Sequence, residues 1–254
     1  MNFDLLAPFS SFDGPEGRPI MHRFLGGAEP AIVFLPGYMS DMAGSKAQAV
    51  LQWAASQGRA CLLLDYSGCG DSPGDFADGT LSRWREEVVA LIRAKGIGSA
   101  TLCGSSMGGW LMLLVAEALP DRVTALVGIA AAPDFTTWGY DDAQRAELAA
   151  GRTIFEDNPY GSEPTPTHPG FWADGQANLL LARGIGFAGA VRLIHGQADP
   201  DVPWQVSIDL AKSLRSADVQ VHLIKDGDHR LSRPADIAVL LRTLEALVAA
   251  AKAE

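Results

Sequence analysis

Ser106 stands at the centre of Gly104-Ser105-Ser106-Met107-Gly108, between the apolar run ATLC and the helix-like stretch WLMLLVAEALP. A strand that turns sharply into a helix lifts the central side chain of G-x-S-x-G out of a sheet, and the turn has no room for side chains two residues to either side. That geometry presents a serine hydroxyl for nucleophilic attack. A hydroxyl is a poor nucleophile at neutral pH, so it needs a histidine base within hydrogen-bond reach. The base in turn needs an acid that fixes its tautomer and stabilises the imidazolium.

Five histidines compete for the base role. Catalytic groups of open α/β sheets gather beyond the carboxyl ends of the strands. His229, in KDGDHRLSRP, is the one histidine in a post-strand loop late in the chain, as the order serine, acid, histidine requires. His195 ends a strand next to Gly196 and is expected to help set a turn. His222 alternates with apolar strand neighbours, His22 precedes the first clear strand, and His168 sits in a Pro-rich stretch from which it could approach the site. For the acid, Asp199 in HGQADPDVPW is best placed, with Asp201 two residues on and Asp134 after the preceding strand as alternatives. Asp65 also ends a strand but precedes Ser106 and fits the order poorly. The oxyanion formed on attack needs donors. The backbone N–H of Met107, at a helix N-terminus, is one, and Tyr38, which follows Pro36-Gly37, supplies the second.

The elements that must position these residues alternate regularly from Ala31 onward. Apolar strands are expected at Ala31–Leu35, Arg59–Tyr66, Ala100–Cys103, Arg122–Ala131, Val191–His195 and Val219–Ile224. Helix-period stretches separate them, which implies an α/β fold with a mostly parallel sheet covered on both faces. The beat fails from Phe135 to Ala188, an insertion long enough to be a lid or substrate cap within one domain spanning 1–254.

Composition narrows the partners. The chain has 254 residues, 48% of them hydrophobic, and a net charge of −10, which argues against nucleic-acid binding and against an anionic membrane surface. Cys61 and Cys103 fall in strands and are expected to be buried. Cys69, in the loop DYSGCGDS, could be accessible, but nothing beside it lowers its pKa. Neither a phosphate-binding glycine loop nor a metal-ligand cluster is apparent, so cofactor-free chemistry is expected. With no signal peptide, Arg-rich transit pattern or membrane-length apolar run, the expected address is the cytoplasm.

These residues resemble the α/β-hydrolase superfamily. More narrowly, they resemble the mitochondrial palmitoyl-protein thioesterase group, also known as the mycophenolic acid acyl-glucuronide esterase. The likeness is carried by FLPGYMSDMAGSKA (Phe34 to Ala47), LDYSGCGDS (Leu64 to Ser72), Trp84 to Glu86, GSSMGGWLML (Gly104 to Leu113), RLIHGQADPDVPW (Arg192 to Trp204) and Asp228 to Arg230. The resemblance implies Ser106 as nucleophile, Asp199 as acid, His229 as base, and Tyr38 and Met107 lining the oxyanion hole. It also implies hydrolysis of acyl thioesters or acyl-glucuronide esters, on a small molecule or an acylated protein. The insertion matches the group poorly, so substrate choice is open. Acyl transfer, perhydrolysis or peptide cleavage on the same scaffold, or a binding protein without turnover, are the alternatives.

Overall fold

The computed structural model describes residues 6–159 and 161–250. Strands β1 (Phe9–Asp13), β2 (Pro19–Leu25), β3 (Ala28–Leu35), β4 (Arg59–Leu64), β5 (Ala100–Ser105) and β6 (Val123–Ile129) lead into an insertion that holds the short pair β7 (Ile154–Glu156) and β8 (Thr165–Thr167). Strands β9 (Ala190–Gly196) and β10 (Val219–Ile224) follow. Eight of these form one sheet in the order β1-β2-β4-β3-β5-β6-β9-β10, while β7 and β8 pair with each other. From β4 to β10 all neighbours are parallel, and the two edge pairings β1/β2 and β2/β4 are antiparallel.

The inner strands are continuous apolar runs because helices cover both faces. Every residue of β4 and β5 is buried. Helices α1 (Ser45–Ser56) and α8 (Pro234–Ala250) cover one face, where Val50, Leu51, Leu240 and Leu244 meet Ile32, Leu63 and Cys103. Helices α2 (Leu81–Ala94), α3 (Met107–Ala118) and α7 (Gln205–Ser213) cover the other, around Trp84, Trp110 and Leu210. The Thr80 hydroxyl caps α2 by accepting from the Arg83 N–H.

Register brings the carboxyl ends of the central strands level. Leu35 lies beside Gly104, Ser105 beside Ile129, and Ile129 beside Ile194. The loops that leave these ends carry Tyr38, Ser106, Asp134 and Asp199.

Two regions differ from the sequence expectation. Strands β1 and β2 precede the first clear strand; β1 reads FSSFD, alternates exposed and half-buried positions and pairs only with β2, so it lacks an apolar run. Between β6 and β9, the piece expected as a Pro-rich loop contains helix α6 (Pro169–Ala177), after the shorter α4 (Phe135–Trp138) and α5 (Asp142–Ala149). Pro169 opens α6, where the missing N–H costs nothing, and Phe171 anchors it in the core. The apolar segment after it is loop, tied back by Asp134. Asp134 Oδ1 accepts from the Leu180 N–H at 2.8 Å, and Oδ2 accepts from the Leu181 N–H at 2.9 Å.

Candidate active site

The turn between β5 and α3 is as sharp as the motif demands. Ser106 has φ 54° and ψ −121°, outside the regions that non-glycine residues prefer. A side chain at Gly104 would stand 2.2 Å from the Gly108 carbonyl oxygen, and one at Gly108 would stand 2.1 Å from that of Leu35. Glycine is therefore required at both places. Met107 is the first residue of α3, so its N–H has no acceptor within the helix.

His229 reaches Ser106 from the loop between β10 and α8. Its Nε2 is 3.0 Å from Ser106 Oγ, and its Nδ1 is 2.8 Å from Asp199 Oδ2. Burial pushes the Asp199 carboxyl up. The hydrogen bonds from His195 and His229, the charge of His229 and the Val202 N–H outweigh it and hold the group well below the usual carboxylate range. An ionised carboxylate only accepts, so His229 carries its proton on Nδ1 and offers its Nε2 lone pair to the serine hydroxyl. The Asp199 side chain has no exposure, whereas 15% of the His229 side chain is exposed toward the cavity.

Neighbouring residues hold these loops in place. Asp228 Oδ1 accepts from the Leu231 N–H at 2.9 Å, and Lys46 donates to the Arg230 carbonyl and to Ser232 Oγ. Burial, then the charge of Arg230, pulls the Lys46 ammonium down to about 8. On the opposite side Asp65 Oδ1 accepts from the Met42 N–H at 2.7 Å and Oδ2 from the Asp71 N–H at 2.9 Å, joining the loop after β4 to the loop that carries Tyr38. The Tyr38 hydroxyl donates to the Pro166 carbonyl at 2.9 Å, and its ring lies 4.9 Å from those of Phe76 and Phe171.

The other candidates lie elsewhere. Asp134 is engaged with Leu180 and Leu181, away from the histidine. Asp201 is in the Asp199 turn, its N–H bonded to Asp199 Oδ1 at 2.9 Å. His168 Nδ1 pairs with Thr153 Oγ1 inside the insertion, His22 is buried in β2 with Nδ1 3.2 Å from the Ile20 carbonyl, and His222 is exposed on β10. His195 is fully buried beneath Asp199, a contact that its place at a strand end did not signal. Cys69 is buried rather than accessible, and burial, then Asp65, pushes its thiol up to about 12.

A cavity of about 720 Å³ opens over Ser106 and His229, walled on one side by Tyr38 and Met39 and on the other by Phe135, Trp138 and Tyr140 of the insertion. Among the described residues one group of three metal-type ligands occurs, Asp199, Asp201 and His229, with ligand atoms within 4.8 Å of one another. Its central pair is already hydrogen-bonded internally. Among the described residues no helix is long and apolar enough to cross a membrane.

A sheet of this strand order with a serine on the turn after its central strand defines a class. The family model for the alpha/beta hydrolase fold matches residues 30–153, and the chain belongs to that family, as a hydrolase acting on ester or thioester bonds. Within it, the chain is 38% identical over 248 residues to palmitoyl-protein thioesterase ABHD10, mitochondrial, of Mus musculus, covering 95% of this chain and 83% of the relative. The Homo sapiens protein of the same name is 35% identical, covering 94% of this chain and 79% of its own. The solved structure of alpha/beta hydrolase domain-containing protein 10 from mouse superposes with a TM-score of 0.88 at 36% identity, over 94% of this chain and 98% of that one. These relatives are named as mitochondrial, which overturns the cytoplasmic address expected from the sequence.

Proposed function

We propose that the protein hydrolyses acyl thioesters or carboxylic esters through an acyl-enzyme on Ser106, with His229 as base and Asp199 as its acid. The reading rests on one observation: the unbroken chain from Ser106 Oγ through His229 to the buried Asp199, with both links at 3.0 Å or less. Ser106 Oγ gives its proton to His229 Nε2 as it bonds to the substrate carbonyl carbon. The oxyanion so formed is received by the backbone N–H groups of Met107 and Tyr38. His229 then protonates the departing thiol or alcohol, leaving the acyl group on Ser106. Water, losing a proton to His229, cleaves the acyl-enzyme, and the proton returns to Ser106 as the acid departs.

Residues 135–188 act in this reading as a lid whose aromatic side chains face the acyl group. The relatives named as palmitoyl-protein thioesterases support a thioester substrate. Thiol release from S-acyl thioesters of increasing chain length tests this, with p-nitrophenyl esters of the same acyl groups in parallel. Saturable turnover to free acid is expected, with kcat/KM of at least ~10⁴ M⁻¹s⁻¹ on the best substrate. Hydrolysis of neither class would overturn the reading, as would acyl transfer in place of free acid.

Tyr38 serves in two ways, the backbone toward the oxyanion and the side chain toward the insertion. Tyr38→Phe removes the hydroxyl that donates to the Pro166 carbonyl and meets Thr167, and leaves the backbone unchanged. Urea unfolding is expected to show a loss of about 1 kcal/mol, with a fall in kcat below ~10-fold.

A further inference from the structure

His195 lies beneath Asp199 with one contact more than a buried histidine needs. Its ring is fully buried, and each of its nitrogens has a defined partner. Nε2 lies 3.0 Å from the Val202 carbonyl and 3.2 Å from Asp199 Oδ2. Both are acceptors, so Nε2 carries the proton and divides it between them. Nδ1 is then an acceptor, and the buried Ser207 hydroxyl fills it at 2.7 Å. Strand β9, helix α7 and the loop between them thus fix one tautomer.

The oxygen that His195 meets is also the one that His229 uses. Oδ2 of Asp199 accepts from both imidazoles, while Oδ1 accepts from the N–H groups of Asp201 and Val202 at 2.9 and 2.8 Å. Four donors therefore hold a carboxylate that has no solvent exposure. The Val202 and Ser207 bonds alone would satisfy a structural histidine. The bond to Oδ2 adds something else, because it draws charge from the oxygen that stabilises protonated His229.

We propose that His195 is a positioning residue, which aims Asp199 Oδ2 at His229 and tempers the basicity that the carboxylate confers on it. The inference rests on the assigned roles of Ser106, His229 and Asp199. Among the described residues, the titratable and charged groups at this cluster are Asp199, Asp201, His195 and His229, with Asp228 and Arg230 on either side of His229 and Lys46 reaching the same loop from α1. Removing the His195 donor leaves more charge on Oδ2, so His229 holds its proton to higher pH.

The test is the pH profile of kcat/KM for the unsubstituted protein, His195→Leu and His195→Gln, whose side-chain amide carries an N–H to about the same place. In His195→Leu the acid limb is expected to move up by about half a pH unit, with kcat down ~10-fold and KM within about twofold. In His195→Gln the limb returns toward the original position. A folded His195→Leu protein whose limb does not move overturns the proposal, and so does a Gln variant that behaves like Leu. Should His195→Leu not fold, proton NMR decides: the His195 Nε2–H resonance is expected to shift in Asp199→Asn, and an unchanged resonance overturns the proposal. Turnover that persists in Ser106→Ala would instead remove the reading on which the inference stands.

Discussion

Ser106→Ala is expected to lower kcat for an acyl thioester or p-nitrophenyl ester by ~10⁶-fold, to the residue of catalysis that binding and the oxyanion donors supply without a nucleophile. The protein should still fold. The Ser106 side chain bonds to His229 and to no other side chain among the described residues, and alanine meets the same backbone demand at φ 54°. Stability is expected to stay within about 1 kcal/mol of the parent in urea unfolding. Loss of rate with an unfolded protein would mean that the turn, not the hydroxyl, had been tested. Full rate in a folded variant would remove the mechanism.

The second large effect separates two aspartates. In Asp199→Asn, the atom at the Oδ1 position still faces the N–H groups of Asp201 and Val202 and so must be the amide oxygen. The amide nitrogen then faces His229 and His195, where only an acceptor fits. His229 meets it by moving its proton to Nε2, and that proton now points at Ser106. A base presenting the wrong tautomer is expected to cost ~10⁴-fold in kcat. Asp134→Asn puts an NH₂ against the Leu180 or Leu181 N–H instead, so the damage falls on the seating of the insertion. There a loss of about 1–3 kcal/mol in stability is expected, with kcat within ~10-fold. Rates fallen in the reverse order would exchange the roles of the two aspartates.

The central sheet was legible because its inner strands are largely buried apolar runs bounded by turn residues, and their parallel direction follows from alternation with helices. The edge was not: β1 has neither Val nor Ile, and its only partner is the neighbouring strand β2, so it carries no buried apolar run. Helix α6 was hidden by Pro169, Gly170 and Gly175, weak helix formers whose segment is held by the burial of Phe171 and by Gln176 bonding to Thr136. The order of Ser106, Asp199 and His229 along the chain pointed to a site that the strand register assembles. What it did not reveal is what holds the site. Asp65 and Lys46 act through partners 23 and 184 residues away, and His195, only 4 residues from Asp199 in the same stretch, does so through a ring orientation that spacing does not specify. The address was read from the lack of a targeting pattern, and an absence of that kind does not fix a compartment.

The most direct test is capture of the acyl-enzyme. The protein is mixed with an S-acyl thioester, quenched in acid during turnover, digested and mapped by mass spectrometry. An acyl adduct is predicted on the peptide that carries Ser106, and none on that peptide in Ser106→Ala. Turnover with the acyl group on another residue, Cys69 for example, would contradict the account.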